Sequence, residues 1–238
     1  MRARLLLVVL VALLAVLAPA TASAYDECRG LQECVSVVGP WVVVPAGADG
    51  GLSTVAWELR CPLRGYVVGG TDARVTTRAV EVTVRGEKGS PVAPGVTTRR
   101  SIVFTAQRVG GGAAAAFVPA IGCLPTNGGG GRSQTSTAAR ADAVQPGTLV
   151  RRVAVGRLRR GATTTVVARC PAGARVVEAR HAVGFRSAAP PTATQLRSVS
   201  TRSAQAGSAA RVSGTLGAGA GSARVLLQVH VLCARGTG

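Results

Sequence analysis

Apolar and polar positions alternate with a period of two along most of the chain. In Val55-Ala-Trp-Glu-Leu-Arg-Cys61 one face carries Val55, Trp57, Leu59 and Cys61, and the other carries Ala56, Glu58 and Arg60. Val166, Ala168 and Cys170 share a face, with Arg169 turned outward. Val80, Val82 and Val84 alternate with Glu81, Thr83 and Arg85, and Leu227, Val229, Val231 and Cys233 line one side of the last segment. This is the period of half-buried strands. Gly86 to Pro91 reads as a turn, and no segment has the capped periodicity of a long amphipathic helix. The expected fold class is therefore all-β.

The strand pattern occurs twice. Val55-Ala-Trp-Glu-Leu-Arg-Cys61-Pro62 is answered by Thr164-Thr-Val-Val-Ala-Arg-Cys170-Pro171, an offset of 109 residues. At that offset Val67-Val68 meets Val176-Val177, Val44 meets Val153 and Gly47 meets Gly156. Such self-similarity is the mark of an internal repeat. It predicts β repeat 1 over 36–125 and β repeat 2 over 145–238. A Gly/Ser/Thr-rich linker over 126–144 would separate them, since Gly128 to Gly131 and the small polar residues that follow offer no core. Two tandem β-sandwich-like repeats are the expected architecture, with one pseudo-symmetric β-sandwich built from both repeats as the alternative.

The 6 cysteines extend this plan. The duplication selects Cys61–Cys123 and Cys170–Cys233, one bridge closing each repeat, and leaves Cys28–Cys34 in an N-terminal Cys loop over 25–35. A bridge closing a loop of about 62 residues contributes roughly 4 kcal/mol by chain entropy. The spacing invites an immunoglobulin comparison that fails. Trp57 precedes the first cysteine of its repeat, and Ile121 and Val231 stand where a tyrosine would be two residues before the second.

The segments Cys61-Pro-Leu-Arg-Gly-Tyr-Val-Val-Gly-Gly70 and Cys170-Pro-Ala-Gly-Ala-Arg-Val-Val177, with the ending Val231-Leu-Cys233-Ala234, resemble a repeat of secreted actinobacterial proteins. The pattern of that repeat is C-P-A-G-x-x-V-x-G-G. The resemblance implies an extracellular β-rich module of uncharacterised activity and carries over no functional residues. Repeat 1 has an extra residue before Gly65, and repeat 2 has Glu178-Ala179 in place of the glycine pair.

The start of the chain supplies an address. Arg2 and Arg4 precede an apolar run from Leu5 to Ala18, and Ala22-Ser-Ala24 offers small residues for cleavage, so 1–24 reads as a signal peptide. Its 14 apolar residues would span about 21 Å as a helix, too short for a hydrocarbon core of roughly 30 Å. The expectation is export through a bacterial envelope, an oxidising setting that suits disulfides, with no transmembrane segment after cleavage.

Charge changes the picture most. Formal net charge is +18, from 28 Lys+Arg against 10 Asp+Glu. Repeat 1 holds 9 Lys+Arg against 5 Asp+Glu, or +4, whereas 126–238 holds 16 arginines against 2 acids, or +14. The densest cluster is Arg151, Arg152, Arg157, Arg159 and Arg160. A concentrated positive field favours polyanions, so the candidate partner is an anionic polysaccharide or other cell-envelope polymer; the alternative is a basic surface that keeps an exported protein soluble. Sequence-specific nucleic-acid binding is not indicated, because the few aromatics are scattered and form no stacking platform. Catalysis is not expected either. There is no G-x-S-x-G turn, no C-x-x-C pair for a metal, and no cofactor motif. His230, on the strand face opposite Cys233, reads as a surface or half-exposed residue rather than a ligand, and Glu58 and Glu81 as solvated charges. The sequence thus points to an exported, non-catalytic binding or structural module. The alternative is a secreted hydrolase or inhibitor with a site between the repeats, drawing on His181 or Glu178.

Overall fold

The computed structural model describes residues 34–46, 53–85, 100–108, 113–125 and 149–235. The expected signal peptide (1–24), Cys28 with most of its expected loop, the turn expected over 86–91 and the linker expected over 126–144 lie outside them. Nearly all the described chain is antiparallel strand. The first half contributes β1 (Val35–Val38), β2 (Trp41–Val44), β3 (Ser53–Arg60), β4 (Tyr66–Val75), β5 (Val80–Arg85), β6 (Ser101–Arg108) and β7 (Ala115–Pro125). The second contributes β8 (Leu149–Arg157), β9 (Thr163–Arg169), β10 (Ala174–Arg186), β11 (Val199–Ala206), β12 (Ala209–Leu216) and β13 (Arg224–Arg235). Among the described residues one short α-helix, α1 (Ala193–Arg197), carries a capping box in which Thr192 and Gln195 satisfy each other's backbone N–H groups.

Three sheets result. A seven-stranded sheet runs β4–β7–β2–β10–β13–β8, with β1 continuing β2 along β7. Two three-stranded sheets, β3–β6–β5 and β11–β12–β9, complete the fold. The large sheet crosses from one half to the other through β2 and β10, where Val42 pairs with Gly184 and Trp41 with Phe185. Neighbouring residues on a strand face opposite sides, and the two cores follow that rule. Trp41 and Phe185 join the core of the second half with Val225, Leu227, Val229 and Val231. Val42, together with Ala182 and Leu226, joins the core of the first half with Trp57, Phe104 and Phe117. The two small sheets therefore cover opposite faces of the shared sheet.

This arrangement explains a burial pattern that alternation does not predict. β7 is buried from Ala115 to Cys123 without a break, and β13 from Val225 to Val231. Each of these closing strands has its own core on one face and residues of the other half on the other face. Only positions apolar or internally bonded on both sides fit there.

Both long disulfides form as the duplication predicts. Cys61–Cys123 and Cys170–Cys233 span 5.7 and 5.6 Å between Cα atoms. Each staples a small sheet to the shared one. Cys34 is also disulfide-bonded.

The two halves share finer detail. Val68 on β4 pairs with Cys123, and a bulge follows before Gly70; Val176 on β10 pairs with Cys233, and a bulge follows before Glu178. Gly65 and Gly173, in the preceding turns, both adopt positive φ (80° and 74°), a conformation that favours glycine. Here the offset is 108, so Val68 corresponds to Val176 and not to Val177. The first strands shift further. Val35 pairs with Cys123 and Val150 with Cys233, while Val42 stands opposite Phe117 as Gly156 stands opposite Leu227. Val42, rather than Gly47, is thus the counterpart of Gly156, and the match of Val44 with Val153 fails too. Short Val/Gly matches carry little register information across a linker of variable length.

Candidate functional site

Of the five arginines in the basic cluster, three converge. Arg157 ends β8, and the chain then turns through Leu158, Arg159, Arg160 and Gly161 into β9. Gly161 has φ 67°, and Arg160 forms an isolated bridge with Leu216 at the end of β12. The reversal brings Arg157, Arg159 and Arg160 to the rim of an open groove of about 880 Å³, whose other walls are Thr163, Thr164, Thr165, Leu216 and Ser222. All three arginines are exposed. The Arg159 N–H donates to Thr164 Oγ1 at 3.4 Å, and the Thr165 and Ser213 hydroxyls share a hydrogen bond at 3.0 Å. No acidic residue lines the groove. Guanidinium forks beside hydroxyl donors suit phosphate, sulfate or carboxylate oxygens.

The other two arginines go elsewhere. Arg152 lies five residues from Arg157 on an extended strand, roughly 17 Å away, and is exposed. Arg151 is half-buried; it shares the face of Arg157, opposite to that of Arg152, but lies six residues back along β8 beside His230. Its Nη1 contacts His230 Nδ1 at 3.3 Å. A cluster contiguous in sequence is thus divided by strand alternation and by the rise per residue.

His230 is not a surface residue. It does face away from Cys233, but that face of β13 is covered by β3 of the first half, and His230 is 1% exposed. Its Nε2 meets Gln228 Oε1 at 2.6 Å. The same oxygen accepts the Glu58 N–H at 2.6 Å, and Gln228 Nε2 donates to the Glu58 carbonyl at 3.2 Å. One side-chain amide therefore satisfies both outward backbone groups of an edge-strand residue. With Arg151 donating to Nδ1, His230 is held neutral, its proton on Nε2. Burial, then the charges of Arg151 and Arg180, push its pKa down to about 3. Glu58 is likewise no solvated charge. Burial raises its pKa, against the pull of Arg60 and Arg151. Glu81, by contrast, is exposed and accepts from Gln107 Nε2 at 2.9 Å. The polar positions Gln228 and His230 within an otherwise apolar strand were the sequence signal for this network.

Near the crossing between the halves is a smaller cavity of about 210 Å³, lined by Val43 and Val55 from one side and by His181, Val199 and Thr201 from the other. His181 Nε2 lies 3.0 Å from Thr201 Oγ1, and burial lowers its pKa. No carboxylate lines this cavity. Glu178 is paired instead with Arg180 on its own strand. Among the described residues no helix is long and apolar enough to cross a membrane.

No family model matches the chain, and no curated protein or solved structure matches it.

Proposed function

We propose that the protein is an exported, non-catalytic module that binds anionic envelope polymers through the groove at the end of β8. What supports the reading is the convergence of Arg157, Arg159 and Arg160 beside Thr163, Thr164, Thr165 and Ser222, with no acid among them. A polymer carrying one negative charge every few ångströms would engage several guanidinium groups at once and release counterions as it did so. The test is retention of the oxidised chain on an immobilised polyanion across a salt series. Replacing Arg157, Arg159 and Arg160 together by Gln is expected to flatten the slope of log affinity against log salt by about two to three, one contact per arginine. An unchanged slope would remove the groove from the reading.

The second reading, a secreted hydrolase or inhibitor acting between the halves, rests on the His181–Thr201 pair in the smaller cavity. A hydroxyl activated by histidine also needs a group to orient the base, and the cavity supplies no carboxylate. Ester or peptide hydrolysis abolished by His181→Gln would revive this reading.

A further inference from the structure

Neighbouring residues of a strand face opposite sides, so the sheet β11–β12–β9 has one face toward the shared sheet and one turned away. Val166 and Val212 mark the inward face, since both lie in the core of the second half. The alternate residues form the outer face, and the pairings lay it out in rows. Arg202 on β11 stands opposite Ser213, which stands opposite Thr165. One row further along, Arg211 on β12 lies between Ala204 and Val167, and a row beyond that Arg169 on β9 lies opposite Ala209. The three arginines therefore run diagonally, each one strand over and two residues along from the last. From strand spacing and rise per residue, the step between them is about 8 Å. All three are exposed. Beside Arg202 the face carries hydroxyls in bonded pairs: Ser200 and Thr215 at 2.6 Å, Thr165 and Ser213 at 3.0 Å.

The corresponding face of the first half is built otherwise. Counted from Arg60 and Arg169, which precede the bridged cysteines, Thr83 is the counterpart of Arg202 and Val103 that of Arg211. Glu58 and Glu81 stand where the second half has Val167 and Ser200. The face of the first half thus mixes Arg60 and Arg85 with two carboxylates, and its Ala56 and Val103 are buried. On the face of the second half there is no acid at all. Glu178, the one acid described in that half, is bonded to Arg180 on the shared sheet.

We propose that the outer face of β11–β12–β9 is a second polyanion site, and that its ligand is a linear polysaccharide with an anionic group on alternate sugars. The inference rests on the reading of the protein as a polyanion binder, and names the polymer and where it lies. A straight row of evenly spaced guanidinium groups matches charges that recur along an extended chain at a similar interval. A polymer charged at every unit would leave charges unmet between the arginines. The open hydroxyl rows suit sugar hydroxyls, and guanidinium forks suit carboxylate or sulfate. The face has no aromatic on which bases could stack. Its one large apolar residue, Val167, is half-buried and offers nothing to insert into a bilayer. Thr163 and Thr165 belong both to this face and to the wall of the arginine groove, so the two sites are continuous.

The test uses the full oxidised chain and two immobilised polymers at low salt. One is hyaluronan, whose carboxylates fall on alternate sugars; the other is polyphosphate, charged at every unit. Arg211→Gln combined with Ala204→Arg keeps the net charge but moves the middle guanidinium one strand over, out of line. Both positions are exposed, and thermal unfolding checks that the variant folds. It should bind hyaluronan at least about tenfold more weakly than the wild type. Its binding to polyphosphate should not change, because a positive field that is not read residue by residue depends on charge alone. Arg60→Gln, on the face of the first half, should leave hyaluronan binding as it is. A wild type that binds polyphosphate but not hyaluronan, a relocated variant that binds hyaluronan as the wild type does, or equal losses on both polymers would each overturn the inference. The groove reading survives any of these if replacing Arg157, Arg159 and Arg160 by Gln still weakens polyphosphate binding. A wild type that binds neither polymer defeats both.

Discussion

The two halves share a strand order, a staple and a bulge, yet they treat the outer face of their closing strands in opposite ways. In the first half that face carries Ala116 and Val118 beside Trp41, and all three join the core of the second half. In the second half the corresponding positions hold Leu226, Gln228 and Val155. Leu226 joins the core of the first half, Gln228 takes the backbone of Glu58, and Val155 is left exposed. At these positions the first half thus gives its neighbour apolar surface alone, and the second gives its neighbour hydrogen bonds as well. Two halves of like topology can differ most where they meet, because each meets a different side of the other.

Breaking this comparison should have its largest effect at Trp41. Trp41→Ala is expected to cost about 3–5 kcal/mol in denaturant unfolding, as for other buried aromatics. Counted from the closing cysteines, Val155 on β8 corresponds to Trp41, and Val155→Ala should change stability by less than about 0.5 kcal/mol. Equal costs at the two positions would mean that β2 and β8 are not counterparts. Gly184→Ala comes next. The added methyl meets Pro40, so a loss of about 1–3 kcal/mol is expected from overpacking, with Thr76→Ala, at the corresponding place just past β4, near neutral.

A pH-dependent effect sharpens the polar side of the comparison. His230 has a pKa of about 3 in the folded chain and about 6.5 when unfolded. Between those values the unfolded state binds more protons, so stability falls as pH falls, by up to about 1.4 kcal/mol per unit, or about 1.6 kcal/mol from pH 6.5 to 5. Glu58 works in the opposite sense. Its folded pKa is raised, so its contribution falls as pH rises above the ordinary carboxylate value. Subtracting the pH profile of His230→Gln from that of the wild type isolates the histidine. A difference that is flat between pH 5 and 6.5 would show that His230 is not held neutral.

Much of this fold was legible in the residues, and the reason is local. Alternation places Val55, Trp57 and Leu59 on one face whatever lies across from them, and the repeated Cys-Pro turns identify the two bridges. What alternation cannot convey is the cover over the second face. Gln228 and His230 look outward on β13 by period alone, and become buried because β3, some 170 residues away in sequence, is laid over them. The basic site was legible only in part for a related reason. Five arginines in ten residues read as one patch, but the strand turns Arg151 into the joint and separates Arg152 from the groove. Only the reversal at Gly161 gathers Arg157, Arg159 and Arg160.

The two long bridges also set how far the molecule can be stretched. Each shunts a loop, of sequence separation 62 in one half and 63 in the other. While the sulfurs remain joined, force applied at the ends travels across each bridge and leaves the chain between its cysteines slack. At about 3.5 Å per residue, roughly 430 Å of contour length is withheld. Pulled through unfolding in an oxidising medium, the chain would lengthen chiefly from the segments before Cys61 and between Cys123 and Cys170. Reduction would release the remainder, so its extensibility is itself a redox-controlled property.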